Sequence, residues 1–417
     1  MPEVCGDYLI VSPYVTLRNM CVSFDKKING FYPVRERNDS GRIRVVTHGL
    51  ASAHTHLGLY PVRGSLGLGL ILDDWVKEEV WGWEKFLRST PEASYYAALK
   101  ALTDLLRSGV TAVADMHYNG DQVGKAALQV GVRVDLSTPI MDGGVYNSYD
   151  EGLHENLELV RRFKGSDMIN VRLGPCTPRL LTPKQFKEVV DIAKDLGVGI
   201  HTHLAEVEKD VIHLRKEWGM SLNEFLHYTG VLEVDALVAH SIWVSQAIYG
   251  LIRNNVWVVN TPRSNTALGD GITPVLTFLG EGGNVALGVD VAPTYSIIDE
   301  MNAFLHLHYV GGRPLPPEKV FELATIGGYQ ALKLGTGRVE TGEPADIVVW
   351  ETPPDTYPAS PIFLVVSGMS KPSEVYVGGE LVLRDSKPLK AGISEETVSA
   401  KLEVFLKRFK SSDLAPP

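Results

Sequence analysis

Cysteine is scarce in this chain. Its 417 residues hold three, Cys5, Cys21 and Cys176, too scattered for a disulfide framework or a Cys-x-x-Cys metal knuckle, so a reducing cytoplasm is the expected setting. Long apolar runs are also missing. No stretch approaches about 18 uninterrupted apolar residues, and the N-terminus has no basic segment leading into an apolar one, which argues against a membrane span and against a secretory signal. Nor is there an excess of positive charge. Forty Lys and Arg against 50 Asp and Glu give a formal charge of −10, the wrong sign for a protein that tracks a phosphate backbone. These absences point to a small-molecule partner, with no nucleic acid and no membrane, and leave a homo-oligomer open. With 44% hydrophobic and 22% charged residues the composition is that of an ordinary globular chain, so function has to be read from motifs.

The motifs sit on a repeating pattern. Strand-like runs at 45–54, 110–117, 132–140, 169–176, 198–203, 236–240, 256–260 and 285–290 alternate with amphipathic stretches such as 95–107, 183–196 and 245–255. Alternation of this kind is the signature of βα units and a parallel sheet. Eight units suggest closure into a (β/α)₈ TIM barrel, and a doubly wound sheet would show a Gly-rich dinucleotide loop after its first strand, which is absent. The ends read differently. Residues 1–47 and 337–395 contain short strand-like pieces without intervening helices, including a hairpin at 374–384 turned by Gly378-Gly379. The expected organisation is therefore a small β-sandwich domain built from 1–47 and 337–395, a catalytic α/β barrel at 48–336, and a C-terminal helix and tail at 396–417.

His54-Thr-His56 closes the first predicted barrel strand, and strand alternation directs both imidazoles to the same side. His201-Thr-His203 ends the fifth strand, His240 the sixth and Asp290 the eighth. One HxH pair alone is unremarkable in a strand. Several histidines and a carboxylate gathered at the C-terminal rim, where barrel active sites lie, are a metal site. Imidazoles with one carboxylate suit Zn²⁺, with Fe²⁺ the second choice, and leave a position for water.

With these residues in view the chain resembles the amidohydrolase superfamily, in the chlorohydrolase-like branch that includes S-adenosylhomocysteine, 5′-methylthioadenosine and guanine deaminases. The matching motifs are Gly49-Leu-Ala-Ser-Ala-His-Thr-His-Leu57, His203-Leu-Ala-Glu206, Val238-Ala-His240, Asn260-Thr-Pro-Arg-Ser-Asn265 and Leu287-Gly-Val-Asp290. The resemblance implies His54, His56, His203 and Asp290 as metal ligands, with Glu206 and His240 as acid/base groups. Its His-x-x-Glu spacing selects His203 over His201. Binuclear relatives use a carbamylated lysine on the fourth strand, and 169–176 contains none, so one divalent ion is expected.

The activity this implies is hydrolytic deamination of a purine or adenosine-like nucleoside. A divalent ion lowers the pKa of bound water and supplies hydroxide, Glu206 protonates the ring nitrogen, Asp290 accepts the water proton, and His240 polarises the attacking oxygen. The insertion 58–91 reads as a lid or pocket wall. Its Trp75, Trp81 and Glu84 match the nucleoside branch, implying aromatic contact from Trp75 and ribose binding by Glu84. Elsewhere the pocket departs from the family. Pro175-Cys-Thr-Pro-Arg179 stands where nucleoside deaminases carry Pro-His-x-Pro-Tyr, which makes Cys176 and Arg179 substrate-contact candidates of unfamiliar type. Thr294, four residues past Asp290, is a further one. No arginine in 137–152 is available to clamp an amino-acid carboxylate, which favours a substrate smaller than S-adenosylhomocysteine. The alternatives are a guanine, pyrimidine or triazine aminohydrolase, a chlorohydrolase, or an inactive relative.

Overall fold

A computed structural model of the chain describes residues 2–34, 41–146, 148–245, 247–253, 255–357, 360–390 and 392–416. Among these, the strands that carry the histidines fall into two four-stranded parallel sheets. One holds Leu50–Ser52, Val110–Met116, Arg133–Ser137 and Ile169–Val171. The other holds Ile200–Leu204, Ala236–His240, Val256–Asn260 and Asn284–Leu287. Single parallel bridges, Leu173 to Ile200 and Thr55 to Asp290, link the edges of the two. Every residue of Val110–Met116 is buried, as expected of a parallel strand covered on both faces.

The intervening helices form where the sequence supplies both a face and a start. Pro183–Leu196 begins with a capping box, the Thr182 side chain accepting from the Gln185 N–H while Gln185 reaches back to the Thr182 backbone. Pro183 occupies its first turn and Gly197 closes it in the left-handed conformation. Glu395–Lys410 buries Val398, Leu402, Phe405 and Phe409 on one stripe, and Phe409 packs edge-on to Trp83.

Both ends of the chain contribute to an eight-stranded sheet. Glu3–Ser12, Val15–Phe24, Ile28–Pro33 and Ile43–His48 come from one end, and Ile347–Thr352, Lys371–Val377, Glu380–Arg384 and Lys387–Pro388 from the other. The expected sandwich is thus one hydrogen-bonded sheet, with a core of its own around Leu9, Val22, Phe24, Val46, Ile347 and Val349. The Gly378-Gly379 turn has φ of +55° and +78°, the positive pair that a type I′ two-residue hairpin turn requires.

Three predicted strands are interrupted. The run 45–54 divides because Val45 and Val46 pair with Tyr8 and Leu9 in the terminal sheet, after which the chain crosses to the inner sheet as Leu50–Ser52. Pro139, which has no N–H to donate, follows the end of Arg133–Ser137 and begins a separate pair with Gly174–Pro175. The run 169–176 changes partner at Arg172, whose buried guanidinium lies 2.7 Å from Asp135 and 2.6 Å from Asp235. The predicted helix 245–255 is helical at Ile248–Leu251, and its residues 246 and 254 lie outside the described residues.

The cysteine reading is corrected. Cys5 and Cys21 stand opposite each other across the antiparallel pair Glu3–Ser12 and Val15–Phe24 and form a disulfide. Scattering along the chain concealed a pairing that only hairpin register reveals. Closing a loop of 16 residues stabilises a fold by about 3 kcal/mol. Alkylation of the unfolded, unreduced protein should therefore label one thiol per chain, Cys176, and the double Ser variant should unfold at lower urea. Labelling of all three cysteines would remove the disulfide from the account.

Candidate metal centre and active site

Hydrogen-bond partners fix how the histidines point. His56 Nδ1 lies 2.7 Å from the Met116 carbonyl and His203 Nδ1 lies 2.9 Å from the Cys176 carbonyl. A carbonyl only accepts, so both protons sit on Nδ1 and both Nε2 atoms carry lone pairs. For His54 the inference runs through two neighbours. Ser137 Oγ donates to the Asp115 carbonyl at 2.9 Å and so accepts from His201 Nδ1 at 3.2 Å. His201 Nε2 must then accept from His54 Nδ1 at 2.8 Å, which leaves a third lone pair on His54 Nε2. His201 thus stands behind His54 and orients it.

These three lone pairs converge. His56 Nε2 and His203 Nε2 are 3.2 Å apart. Asp290 Oδ1 lies 3.4 Å from His56 Nε2 and 3.6 Å from His54 Nε2, and His54 Nε2 is buried with no hydrogen-bond partner. Buried lone pairs facing one another without a proton between them are unfavourable unless a cation lies among them. The donor set therefore fits a divalent metal. Two overlapping groups, His54–His203–His240 and His54–His56–Asp290, have ligand atoms within 4.8 Å of one another.

Electrostatics agree with a cation site. Burial holds the His54 ring down to about 4, and burial together with the neighbouring imidazoles keeps His203 well below the ordinary value. Burial alone would raise the Asp290 carboxyl, but the adjacent His54, together with His56 and His240, outweighs it, so its pKa falls well below the carboxylate range. Glu206 goes the other way. Burial, reinforced by Asp290 and Asp210, pushes its carboxyl well above the ordinary value, as a proton donor at neutral pH requires.

His240 is buried, its Nδ1 2.9 Å from Asn265 Oδ1, its Nε2 3.4 Å from Glu206 Oε1 and 4.0 Å from Asp290 Oδ2. The backbone is strained at or just past the strand ends that carry these groups: Ala205, His240, Ser241 and Asp290 have φ of +47°, +67°, +50° and +57°. Non-glycine residues occupy this region at a cost of order 1–3 kcal/mol and cluster at functional sites. Gly288 makes the approach of Asp290 to His54 sterically feasible, since a Cβ there would lie 2.9 Å from the His54 backbone.

The centre opens into a cavity of about 400 Å³ whose lining includes His56, His203, Glu206 and Asp290. The insertion forms one wall through near-continuous helical segments, Leu72–Trp75, a π-helical turn Val76–Val80, and Trp81–Ser89. Trp75, Trp81, Glu84, Cys176 and Arg179 all line the cavity. Trp75 is anchored by its Nε1 on Ser65 Oγ at 2.9 Å. Arg179 is held in ion pairs with Asp73 and Asp210, at 2.7 and 2.5 Å. Thr294 is not brought to the site. It is exposed, and its hydroxyl accepts from Arg263 at 2.7 Å and donates to Asp299, because the chain turns outward after Ala292.

The model of the Amidohydrolase family matches residues 45–382. This chain belongs to the amidohydrolase family. Among curated relatives, a 5-methylthioadenosine/S-adenosylhomocysteine deaminase of Desulforudis audaxviator is 32% identical over 381 residues, covering 87% of this chain and 86% of the relative. A 5′-deoxyadenosine deaminase of Methanothermobacter thermautotrophicus is 31% identical over 361 residues, covering 83% and 84%. Solved structures share the fold. A zinc-bound adenosine deaminase of Xanthomonas campestris superposes with a TM-score of 0.86 at 20% identity over 98% of both chains. A zinc-complexed atrazine chlorohydrolase of Arthrobacter aurescens does so at 0.85 and 20% identity, covering 97% of this chain and 100% of that one.

In this amidohydrolase some residues near the cavity escape a reading based on ligand motifs. Tyr118 lines it. His117, buried with both ring nitrogens lacking a hydrogen-bond partner, lies 3.9 Å from Glu84, and burial holds it down to about 3. Burial also pushes Glu84 up to about 8. The available signal was position, since both residues follow directly on the strand Val110–Met116, as His54 and His56 follow Leu50–Ser52.

Proposed function

We propose that the protein is a metal-dependent aminohydrolase that deaminates an adenosine-like nucleoside carrying a small, uncharged 5′ substituent. The single observation that carries this reading is the position of Glu206, a buried and readily protonated carboxyl beside His240 and on the same cavity as the His54–His56–His203–Asp290 donor set. The bridges Thr55–Asp290 and Leu173–Ile200 support taking the inner strands as one closed (β/α)₈ barrel at 48–336, with a small β domain from 1–47 and 337–395 and a helical tail at 396–417. We assign His54, His56, His203 and Asp290 to one divalent metal, with zinc favoured because zinc accompanies the two structural neighbours above.

When bound, the metal supplies an acidified water and a positive charge near the reacting carbon. The chain's residues manage the protons. Glu206 gives its proton to the ring nitrogen beside the amine-bearing carbon, which makes that carbon electrophilic as water adds. Asp290 accepts the proton of the attacking water. His240, its Nδ1–H fixed on Asn265, offers Nε2 to the attacking oxygen. Asp290 then passes the proton it accepted to the amine, and the carbon–nitrogen bond breaks to release ammonia as the carbon–oxygen double bond of the product forms.

The 5′ preference follows from what the cavity offers a charged tail. Leu59, Leu72, Val76, Met141 and Leu180 line it, and Arg179, its most buried cation, is already paired with Asp73 and Asp210. Ammonia release from 5′-methylthioadenosine, 5′-deoxyadenosine, S-adenosylhomocysteine, guanine, aminopyrimidines and aminotriazines tests the assignment. The first two should lead. Leading turnover of guanine, pyrimidine or triazine would move the protein to that class, and S-adenosylhomocysteine ahead of both would refute the uncharged-tail reading.

Glu84 distinguishes nucleoside from free base. Glu84→Ala should reduce nucleoside turnover by about 5–150-fold, the cost of leaving a buried hydroxyl without its hydrogen-bond partner, and change turnover of the free base far less. Equal losses on both would assign Glu84 to support of the wall.

A further inference from the structure

The strand Ile200–Leu204 ends in a bend that alanine rarely adopts, with Ala205 at φ +47°. The next two backbone N–H groups, of Glu206 and Val207, both donate to one oxygen of Asp210, at 2.8 and 3.2 Å. The direction in which Glu206 leaves the strand is therefore held by the Asp210 carboxylate. That carboxylate is buried, and a buried carboxylate needs a countercharge. Arg179 provides it, with Nε 2.5 Å from the second Asp210 oxygen. The same guanidinium places Nη1 2.7 Å from Asp73, in the first helical turn of the cavity wall. The other Asp73 oxygen meets Lys209, the residue before Asp210, at 2.8 Å. Arg179 thus hydrogen-bonds Asp73 and forms an ion pair with Asp210, so one extended guanidinium spans two carboxylates that a compact ammonium would not reach in the same way.

We propose that Arg179 is a positioning residue which, through Asp73 and Asp210, couples the wall segment Leu72–Trp75 to the orientation of Glu206. Seating a substrate against Trp75 and aiming the proton donor then become one event. This inference rests on the deaminase reading for its kinetic consequences but not for its structural one.

The experiment uses the metal-loaded full chain and the variants Arg179→Lys, Arg179→Met, Asp73→Asn and the combinations of each Arg179 change with Asp73→Asn. The readouts are kcat and KM on 5′-methylthioadenosine, metal content, and backbone hydrogen exchange at Glu206 and Val207. Arg179→Met should lower kcat on the order of 10–100-fold, as small misplacements of a reacting group do, at unchanged metal content. Arg179→Lys should recover only part of this. Asp73→Asn, a change in the wall, should lower kcat and not merely raise KM, and should add little to the kcat loss in either Arg179 background. If Arg179→Met does not fold, the cycle built on Arg179→Lys gives the same answer.

Asp73→Asn with kcat unchanged, or kcat losses that multiply independently, would overturn the coupling. Exchange gives an answer without substrate: faster exchange at Glu206 and Val207 in Asp73→Asn supports the proposal, and wild-type exchange refutes it. A wild-type protein inert toward every adenosine-type nucleoside would instead refute the deaminase reading, and the exchange measurement would still decide the coupling.

Discussion

Changing Glu206 to Gln is expected to leave metal content unchanged and to cut turnover of an adenosine-type nucleoside by about 10²–10⁴-fold, the usual worth of a general acid. Glutamine keeps the shape of the side chain, and the hydrogen bonds that hold this turn come from backbone N–H groups to Asp210, so the fold has no reason to respond. What is lost is a transferable proton. The wild-type carboxyl holds that proton because burial and the nearby Asp290 and Asp210 charges all penalise its ionised form. Metal analysis and kcat measured on the same preparation check the prediction. Turnover near that of the wild type would leave Glu206 only a structural role before the helix Glu208–Trp218.

Removal of the metal should abolish turnover and destabilise the fold together. The Nε2 lone pairs of His54, His56 and His203 face a common point within reach of Asp290, so without a cation they repel one another in a buried space. A ligand that binds only the folded state stabilises it by about 4 kcal/mol when its free concentration is roughly 1,000 times Kd. The expected stoichiometry is one divalent ion per chain. Chelation should lower Tm and eliminate ammonia release, stoichiometric Zn²⁺ should restore both, and His54→Ala should retain little metal. Two tightly held ions per chain would contradict the ligand assignment. The absence of any retained ion after reconstitution would remove it altogether.

The placement of the histidines at strand ends could be read from the sequence because strand period and strand ends are local properties. His54 and His56 alternate onto one side, and His203, His240 and Asp290 each close a β-branched run. Roles that depend on a partner distant in sequence could not be read this way. His201 and His203 are equivalent by alternation; the His-x-x-Glu spacing selects His203, and it is the contacts of His201 with His54 and Ser137 that show what His201 does instead. Arg179 reads as a substrate contact because its motif stands where nucleoside deaminases carry Pro-His-x-Pro-Tyr, and it does line the cavity; its engagement by Asp73, 106 residues away, and by Asp210 has no local signal. Thr294 had the right spacing from Asp290, but Arg263 and Asp299 hold it outside. The same limit explains the first predicted strand. Val45 and Val46 satisfy any strand pattern, and nothing local tells them to pair with the terminal sheet rather than with the inner one. The Cys5–Cys21 pair depended in turn on a hairpin register that composition does not encode.

The central claim is that this protein replaces the exocyclic amine of an adenosine-like nucleoside with oxygen taken from water. Incubating the zinc-loaded chain with 5′-methylthioadenosine in heavy-oxygen water, and analysing both the purine product and the ammonia, tests it directly. The predicted result is stoichiometric ammonia and a product that keeps its ribose and 5′ group and carries one solvent-derived oxygen on the base. A metal-loaded, folded protein that leaves the amine in place, or that yields a free base instead, would contradict the account.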